Sequence, residues 1–214
     1  MTDVPKILLS IVPLLFAIIL HEVSHGWVAE KLGDPTARMM GRITLNPISH
    51  IDPLGTIILP GILLLTGSHF LFGWAKPVPV NFSNLRGGRR DMALVALSGP
   101  LSNFVLAVLS SIIFHLTLRG FMSSGGALDM VIVPIHLMAQ YSVLYNLVLM
   151  AINLLPILPL DGGRIVAGLA PEQVAISMER MERYGMLIVL LLIASGIWSY
   201  LVSPVIYVFW RILM

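Results

Sequence analysis

Long apolar runs separated by short polar segments dominate the chain. Four runs reach the length of about 20 residues that a helix needs to cross a bilayer; they occupy residues 7–29, 92–118, 130–155 and 185–210. A shorter run over 54–72 is interrupted by Pro60 and Gly61. The pattern predicts an all-α polytopic membrane protein, with about four transmembrane helices in a single membrane-embedded domain over residues 1–214.

The segments between the first two full spans have a different character. Residues 32–53 are rich in Gly, Pro, Asp and Asn, which favour turns and short strands. Further along, Pro77 and Pro79 bias the chain toward extended structure. We therefore expect loops and short β-strands here, and a re-entrant or membrane-embedded segment over 54–72.

Composition agrees with a membrane protein and narrows its chemistry. Only 11% of the residues are charged and the mean hydropathy is +0.91, whereas soluble domains have roughly 25% charged residues. The net charge of +2 comes from scattered groups, without the basic stripe and interleaved aromatic residues of a nucleic-acid binder. Cysteine is absent, so any metal must be held by imidazole and carboxylate groups.

The sequence HEVSH at 21–25 closes the first apolar run and fits the H-E-x-x-H pattern. On a helix, His21 and His25 lie one turn apart and can reach one metal ion, while Glu22 faces the metal-bound water. The alternative is that these residues only mark the polar end of a helix. Ionisable groups within a transmembrane segment usually indicate a functional site, which favours the metal.

A third ligand is needed, and Asp161 is the best candidate. It lies in NLLPILPLDGG at 153–163, where prolines and glycines must open the backbone out of a regular helix. Asp161 could instead cap a helix that starts at Gly162. The two roles are compatible and remain open at this point.

The combination of motifs resembles the site-2 protease family of intramembrane zinc metalloproteases, in a short form without a PDZ domain. HEVSH is similar to the zinc-binding motif of the family, and NLLPILPLDGG is similar to its second signature. SGPLSN at 98–103 resembles a Gly-Pro-x-x-Asn motif on the span between them. The resemblance implies one zinc ion per chain, held by His21, His25 and Asp161, with Glu22 as general base.

The resemblance also implies a substrate contact for Asn153. Asn153 and Asn103 could donate hydrogen bonds to the substrate backbone or to the oxyanion, or could bond helix to helix. The expected partners are transmembrane protein substrates and the lipid bilayer of the cell membrane, and a homo-oligomer is compatible with the sequence. An extended segment at 74–82 or 40–48 would pair with unwound substrate. His50 and Asp52 suit a loop-structuring role.

The zinc hypothesis constrains the topology. His25 and Asp161 must reach the same face of the membrane, so an even number of crossings separates them and 54–72 should not cross fully. With this arrangement ten of the 13 lysines and arginines share one face. They are Lys31, Arg38, Arg42, Lys76, Arg86, Arg89, Arg90, Arg164, Arg180 and Arg183. The positive-inside rule then predicts a metal site toward the cytosol.

Other classes of protein fit less well. A metal-ion transporter would also place His and Asp in the membrane, but it has no need of a Glu between the paired histidines. An inactive scaffold would not need the candidate ligands and the base together. A serine-type intramembrane protease would need a serine within a span paired with a suitable histidine, and the sequence offers none.

Overall fold

The computed structural model describes residues 4–66, 73–122 and 129–214. Within these residues the chain is helical and contains no strand. The helices are α1 (Val4–Leu32), α2 (Thr36–Met39), α3 (Leu59–Leu65), α4 (Arg89–Met122), α5 (Asp129–Asn153), α6 (Asp161–Leu169), α7 (Glu172–Ala194) and α8 (Ile197–Leu213). Tighter or wider helical turns cover Pro47–His50, Pro53–Ile58 and Phe82–Asn84.

Three described helices are long and apolar enough to cross a membrane: Leu8–Leu32 within α1, and the whole of α4 and α5. The chain is therefore a multi-pass membrane protein. The apolar run over 185–210 is divided between α7 and α8, which meet at a bend of 78°, so the described residues contain a fourth span only if this bent pair is counted as one. Gly196 adopts the left-handed conformation there, with φ +74°, and ends the helix.

Helix α4 lies at the centre of the bundle and packs against α1, α5 and α6. Val143 and Leu147 of α5 are fully buried against Ala107 of α4. Helix α8 runs alongside α4, where Phe209 packs edge-to-face on Phe104 with ring centroids 5.5 Å apart. The outer face of α4 carries an exposed stripe suited to lipid: Leu101, Val105, Leu109, Ile112 and Leu116.

A second apolar cluster closes the end of the bundle where α1 stops and α4 begins. Ala29, Met92 and Val95 join Ala167 of α6 and Ala175 of α7 in this cluster. Because the cluster links α1 and α4 to α6 and α7, it fixes the end of α1 relative to α6.

The short strands expected between the first two spans are absent from the described residues. Residues 73–81, which we call the strap, are extended but do not pair with another strand. Single contacts hold the strap backbone instead: the Lys76 amide donates to the His50 carbonyl oxygen at 2.9 Å, and Arg42 donates to the carbonyl oxygens of Lys76 and Pro77 at 2.9 and 3.2 Å. Pro77 and Pro79 cannot donate to a β-ladder, which explains why no strand forms.

The interrupted apolar run over 54–72 forms a wide turn at Pro53–Ile58 followed by α3. The seven residues of α3 are far fewer than the about 20 needed to cross a bilayer. Residues 67–72 lie outside the described part of the chain. The described portion is therefore compatible with a segment that enters the membrane without crossing it.

Asp34, directly after α1, ties the loops around the strap together. Its carboxylate is fully buried and accepts hydrogen bonds from the Asn81 amide at 2.7 Å, from Asn84 Nδ2 at 2.8 Å and from Thr36 Oγ1 at 2.5 Å. Burial by itself raises the pKa of Asp34, but the hydrogen bonds from Thr36, Asn84 and Asn81 outweigh it and lower the pKa below its ordinary value. The group is thus an anchor for the end of the strap.

Replacing Asp34 by alanine is expected to loosen the strap. Hydrogen bonds to a charged acceptor contribute about 1.5–3 kcal/mol each, so amide hydrogen exchange over residues 76–85 should accelerate at least about tenfold. Asp52→Ala is the control, because Asp52 only accepts from Leu54 and Gly55 in its own turn. Equal exchange over 76–85 in wild type and Asp34→Ala would contradict the anchoring role.

The same variant gives a pH test with a defined sign. Because the folded-state pKa of Asp34 is lowered, its stabilisation is complete above the unfolded value of about 3.9 and is lost as pH falls through the folded value. The difference in stability between wild type and Asp34→Ala should therefore shrink below about pH 4. A difference that grew on acidification would contradict the lowered pKa.

Candidate metal centre

Two imidazoles and a carboxylate converge at the end of the bundle. His21 Nε2 and His25 Nε2 lie 3.1 and 3.3 Å from Asp161 Oδ2, and the two nitrogens are 3.1 Å apart. His21 is buried, and the side chains of His25 and Asp161 are only 12% and 14% exposed. Helix α1 supplies both histidines one turn apart, and α6 supplies the carboxylate.

The spacing fits a zinc ion. Zinc–nitrogen and zinc–oxygen bonds of about 2.0–2.1 Å place the ligand atoms of a tetrahedral site about 3.3 Å apart. The three measured separations of 3.1–3.3 Å match the edges of one face of such a tetrahedron. A tetrahedral ion held by these three groups would leave its fourth position to water, as in catalytic zinc sites.

The protonation of the imidazoles also fits a cation. His25 Nδ1 lies 2.8 Å from the main-chain carbonyl oxygen of Val95, which can only accept, so this nitrogen carries the proton. In neutral His25, Nε2 then presents a lone pair to Asp161. Asp161 Oδ2 is buried and finds no hydrogen-bond donor among the described residues. Electron pairs that face each other in this way suit a bound metal ion.

Asp161 owes its position to the two glycines that follow it. It is the first residue of α6, where Leu160 is the N-cap and no side chain caps the helix, so the capping role is not observed. A Cβ on Gly162 would lie 2.3 Å from the carbonyl oxygen of Leu154. The absence of a side chain at Gly162 allows the first turn of α6 to pack directly on the chain that leaves α5.

Gly99 of α4 lies against both histidine rings. A Cβ at this position would lie 2.4 Å from His25 Nε2 and 2.6 Å from His21 Cε1. Gly99 and Pro100 are residues that often loosen or kink a helix, but α4 continues through them from Arg89 to Met122. Gly99 instead provides the space in which the two imidazoles lie.

Glu22 lines the same cavity as the three candidate ligands. This cavity has a volume of about 440 Å³ and lies between α1, α6 and the strap. Glu22 Oε2 accepts a hydrogen bond from the Val78 amide of the strap at 2.8 Å. The sequence indicated the carboxylate but not this contact, because a main-chain donor carries no sequence signal.

The two asparagines lie in different environments. Asn153 lines the cavity, and its Nδ2 donates to the Leu149 carbonyl oxygen at 3.0 Å. Asn103 is fully buried behind the site, and its Oδ1 is 2.6 Å from His21 Nδ1. Asn103 Nδ2 donates to Asn146 Oδ1 at 2.8 Å. The sequence analysis did not identify Asn146, although an amide side chain in the middle of an apolar span indicates a polar partner.

His50 and Asp52 make local contacts in the loop before α3. His50 is buried, and its Nε2 donates to the Thr44 carbonyl oxygen at 2.9 Å. The Asp52 carboxylate accepts from the Leu54 and Gly55 amides. These contacts fit the loop-structuring role that the sequence suggested.

Comparison with known proteins gives a consistent family. YwhC of Bacillus subtilis (strain 168), a protein named as a candidate zinc metalloprotease, is 38% identical over 196 residues, which cover 91% of this chain and 84% of YwhC. Rip2 of Mycolicibacterium smegmatis, named in the same way, is 28% identical over 88% of this chain and 74% of its own length. Residues 121–196 match peptidase family M50. The chain belongs to the M50, or site-2 protease, family.

Membership makes this M50 chain a metalloprotease with zinc as its metal, as the donor set already suggests. The residues matched to the family include Asp161, whereas HEVSH lies before them. Rip2 of Mycobacterium tuberculosis (strain H37Rv) is 30% identical over 69% of this chain and 52% of its own length. No solved structure matches the chain significantly.

Gly99→Ala is expected to remove zinc from this M50 protease while the protein still folds. The added methyl group would occupy the space of the His21 and His25 rings, so metal content should fall well below one ion per chain by elemental analysis. Gly120→Ala is the matched control on the same helix, because its added methyl group would meet only the end of the Ile132 side chain. Full zinc content in Gly99→Ala would show that the rings do not need this space.

Proposed function

We propose that the chain is an intramembrane metalloprotease that hydrolyses peptide bonds in or near the transmembrane segments of membrane proteins. The observation that carries this proposal is the convergence of His21, His25 and Asp161 in one cavity with Glu22, at the end of membrane-spanning helices. The M50 relatives, which are named as zinc metalloproteases, support the same class of reaction.

In this proposal one zinc ion is held by His21 Nε2, His25 Nε2 and Asp161 Oδ2. When bound there, zinc supplies a Lewis acid that polarises a carbonyl group and lowers the pKa of water to about 7. Glu22 is the general base: its carboxylate accepts a proton from the attacking water and returns it to the departing amine. Because the Val78 amide holds Oε2, Oε1 is the oxygen assigned to proton transfer.

The substrate would lie between the strap and α6. A transmembrane helix bonds its peptide groups internally, so the scissile segment must unwind before the cavity can accept it. The carbonyl groups of the strap are suited to pair with exposed amides of an extended segment. Asn153 lines the cavity and would donate to the substrate backbone or to the oxyanion.

The active site would face the cytosol in the cell membrane. The described basic residues near the metal end of the bundle include Lys31, Arg38, Arg42 and Arg89, and the positive-inside rule places such a face inside the cell. Within the described residues, the two candidate spans between His25 and Asp161 are α4 and α5, which agrees with both residues lying at one face of the membrane.

Glu22→Gln should abolish cleavage without removing the metal. General acid–base catalysis contributes about 10²–10⁴-fold, so cleavage of a model transmembrane peptide should fall at least about 100-fold while zinc content stays at one per chain. Glutamine keeps the shape of the side chain and can still accept from the Val78 amide. Asp161→Ala, in comparison, should lose both zinc and activity.

The same pair of variants tests the competing class. A metal-ion transporter reconstituted in liposomes would move zinc across their membrane. It would not cleave the peptide, either as the wild type or as Glu22→Gln. Zinc flux without peptide cleavage by the wild type would contradict the protease. Retention of cleavage in Glu22→Gln would leave the metal site intact but assign the base elsewhere.

Arg42→Ala tests the contribution of the strap. Arg42 is buried and donates to two strap carbonyl oxygens, and hydrogen bonds from a charged donor contribute about 1.5–3 kcal/mol. Its removal should release the strap and lower kcat/KM for the peptide about tenfold or more. Zinc content should not change, because Arg42 does not touch the candidate ligands.

Arg38→Ala is the matched control for this variant. Arg38 lies four residues earlier and pairs with Glu30 in an exposed ion pair, away from the strap. Exposed pairs contribute about 0–1 kcal/mol, so kcat/KM should stay near the wild-type value. Equal losses in both variants would indicate a general loss of stability rather than release of the strap.

A further inference from the structure

A chain of buried polar side chains leads from the metal centre into the helix bundle. It begins at His21 and passes through Asn103 of α4 to Asn146 of α5, which are 0% and 1% exposed. Asn146 Nδ2 donates to the Ser142 carbonyl oxygen at 2.8 Å. The Ser142 hydroxyl receives a hydrogen bond from Ser110 at 2.7 Å. Neither Asn146 nor the serines line the cavity.

Main-chain carbonyl oxygens at two points, Ser142 and Ala17, determine the direction of these hydrogen bonds. A main-chain carbonyl only accepts, so Asn146 must turn its NH₂ group to Ser142 and its Oδ1 to Asn103. Asn103 must then donate to Asn146 through Nδ2, which also donates to the Ala17 carbonyl oxygen at 3.2 Å. This leaves Asn103 Oδ1 facing His21 Nδ1 at 2.6 Å.

The orientation of Asn103 determines the tautomer of His21, and with it whether the candidate ligand atom Nε2 has a free lone pair. Because Asn103 Oδ1 is an acceptor, His21 Nδ1 must carry the proton, and in neutral His21 the Nε2 lone pair points toward Asp161. With Asn103 flipped, its NH₂ group would favour the other tautomer, in which Nε2 carries a proton and cannot bind a metal. Asn146 opposes that flip, since Asn103 would then turn its own oxygen toward Asn146 Oδ1.

We propose that Asn146 is a positioning residue for the metal centre: acting through Asn103, it holds His21 in the tautomer that binds zinc. The inference deepens the proposed function and rests on it. Mutation of a group that hydrogen-bonds to a metal ligand, without touching the metal itself, typically lowers metal affinity about 10–100-fold. A purely structural bond between helices would instead stabilise the bundle without affecting the ion, by about 0.6 kcal/mol on average in membranes.

Zinc affinity of the purified full chain in detergent tests the proposal, measured by competition with a chelator. Asn146→Leu keeps the branching of the side chain but removes the amide, and zinc affinity should fall about tenfold. Asn103→Ala should lower it by about 10–100-fold. If Asn146 acts through Asn103, the double variant should bind zinc as weakly as Asn103→Ala alone. The loss of Asn103 already removes the hydrogen bond through which Asn146 affects His21, so the second substitution has no further effect.

Val143→Ala on the same helix is the control for lost packing. Val143 is fully buried in the core between α4 and α5, and its apolar side chain cannot hydrogen-bond to the polar residues, so the zinc affinity of Val143→Ala should match the wild type. If Asn146→Leu does not fold, Asn146→Val serves in the same comparison. Absorption spectra of the cobalt-substituted proteins add a second readout, because a changed ligand tautomer alters the metal environment.

The outcomes separate the two proposals. A wild-type protein that binds no zinc would overturn the proposed function. Wild-type zinc binding together with unchanged affinity in Asn146→Leu would overturn only the positioning role. Additive losses in the double variant, or a loss in Val143→Ala equal to that in Asn146→Leu, would also overturn the positioning role, because each would show an effect that does not pass through Asn103.

Discussion

Two imidazole nitrogens and a carboxylate oxygen meet within an apolar helix bundle, and a cation between them would make this arrangement favourable. His21 Nε2, His25 Nε2 and Asp161 Oδ2 lie 3.1–3.3 Å apart in a site with little exposure to solvent. A carboxylate in such surroundings is costly unless it is paired or binds a metal. The bundle must therefore hold the three groups together through contacts that do not depend on the ion.

Helix α4 supplies most of those contacts from one face. Val95, Gly99 and Asn103 recur every four residues, so they line up along the helix. The first accepts from His25, the second leaves space for both rings, and the third accepts from His21. At the start of the same helix, Arg89 donates to the carbonyl oxygen of Ala167 at 2.6 Å and binds the end of α6. One helix thus aligns ligands that come from both ends of the chain.

The spans and the candidate ligands could be predicted from the sequence because each has a local signature. Apolar length identified α1, α4 and α5, and residue type with helical spacing identified His21, His25 and Glu22. The expected strands are absent from the described residues, because single contacts such as those of Arg42 hold the strap in place of a β-ladder. The last apolar run is bent, because one glycine, Gly196, ends α7. Contacts that join distant segments through the backbone leave no pattern in the sequence.

The position of Glu22 illustrates this limit and connects the metal centre to the loops outside the bundle. Its carboxylate is oriented by the Val78 amide, and the strap that contains Val78 is held by Arg42 in its middle and by Asp34 at its end. Asp34 and Arg42 never touch the candidate ligands. Polar contacts beyond the end of α1 therefore determine where the candidate base lies, while helix packing and the hydrogen bonds of α4 inside the bundle determine where the candidate metal site lies.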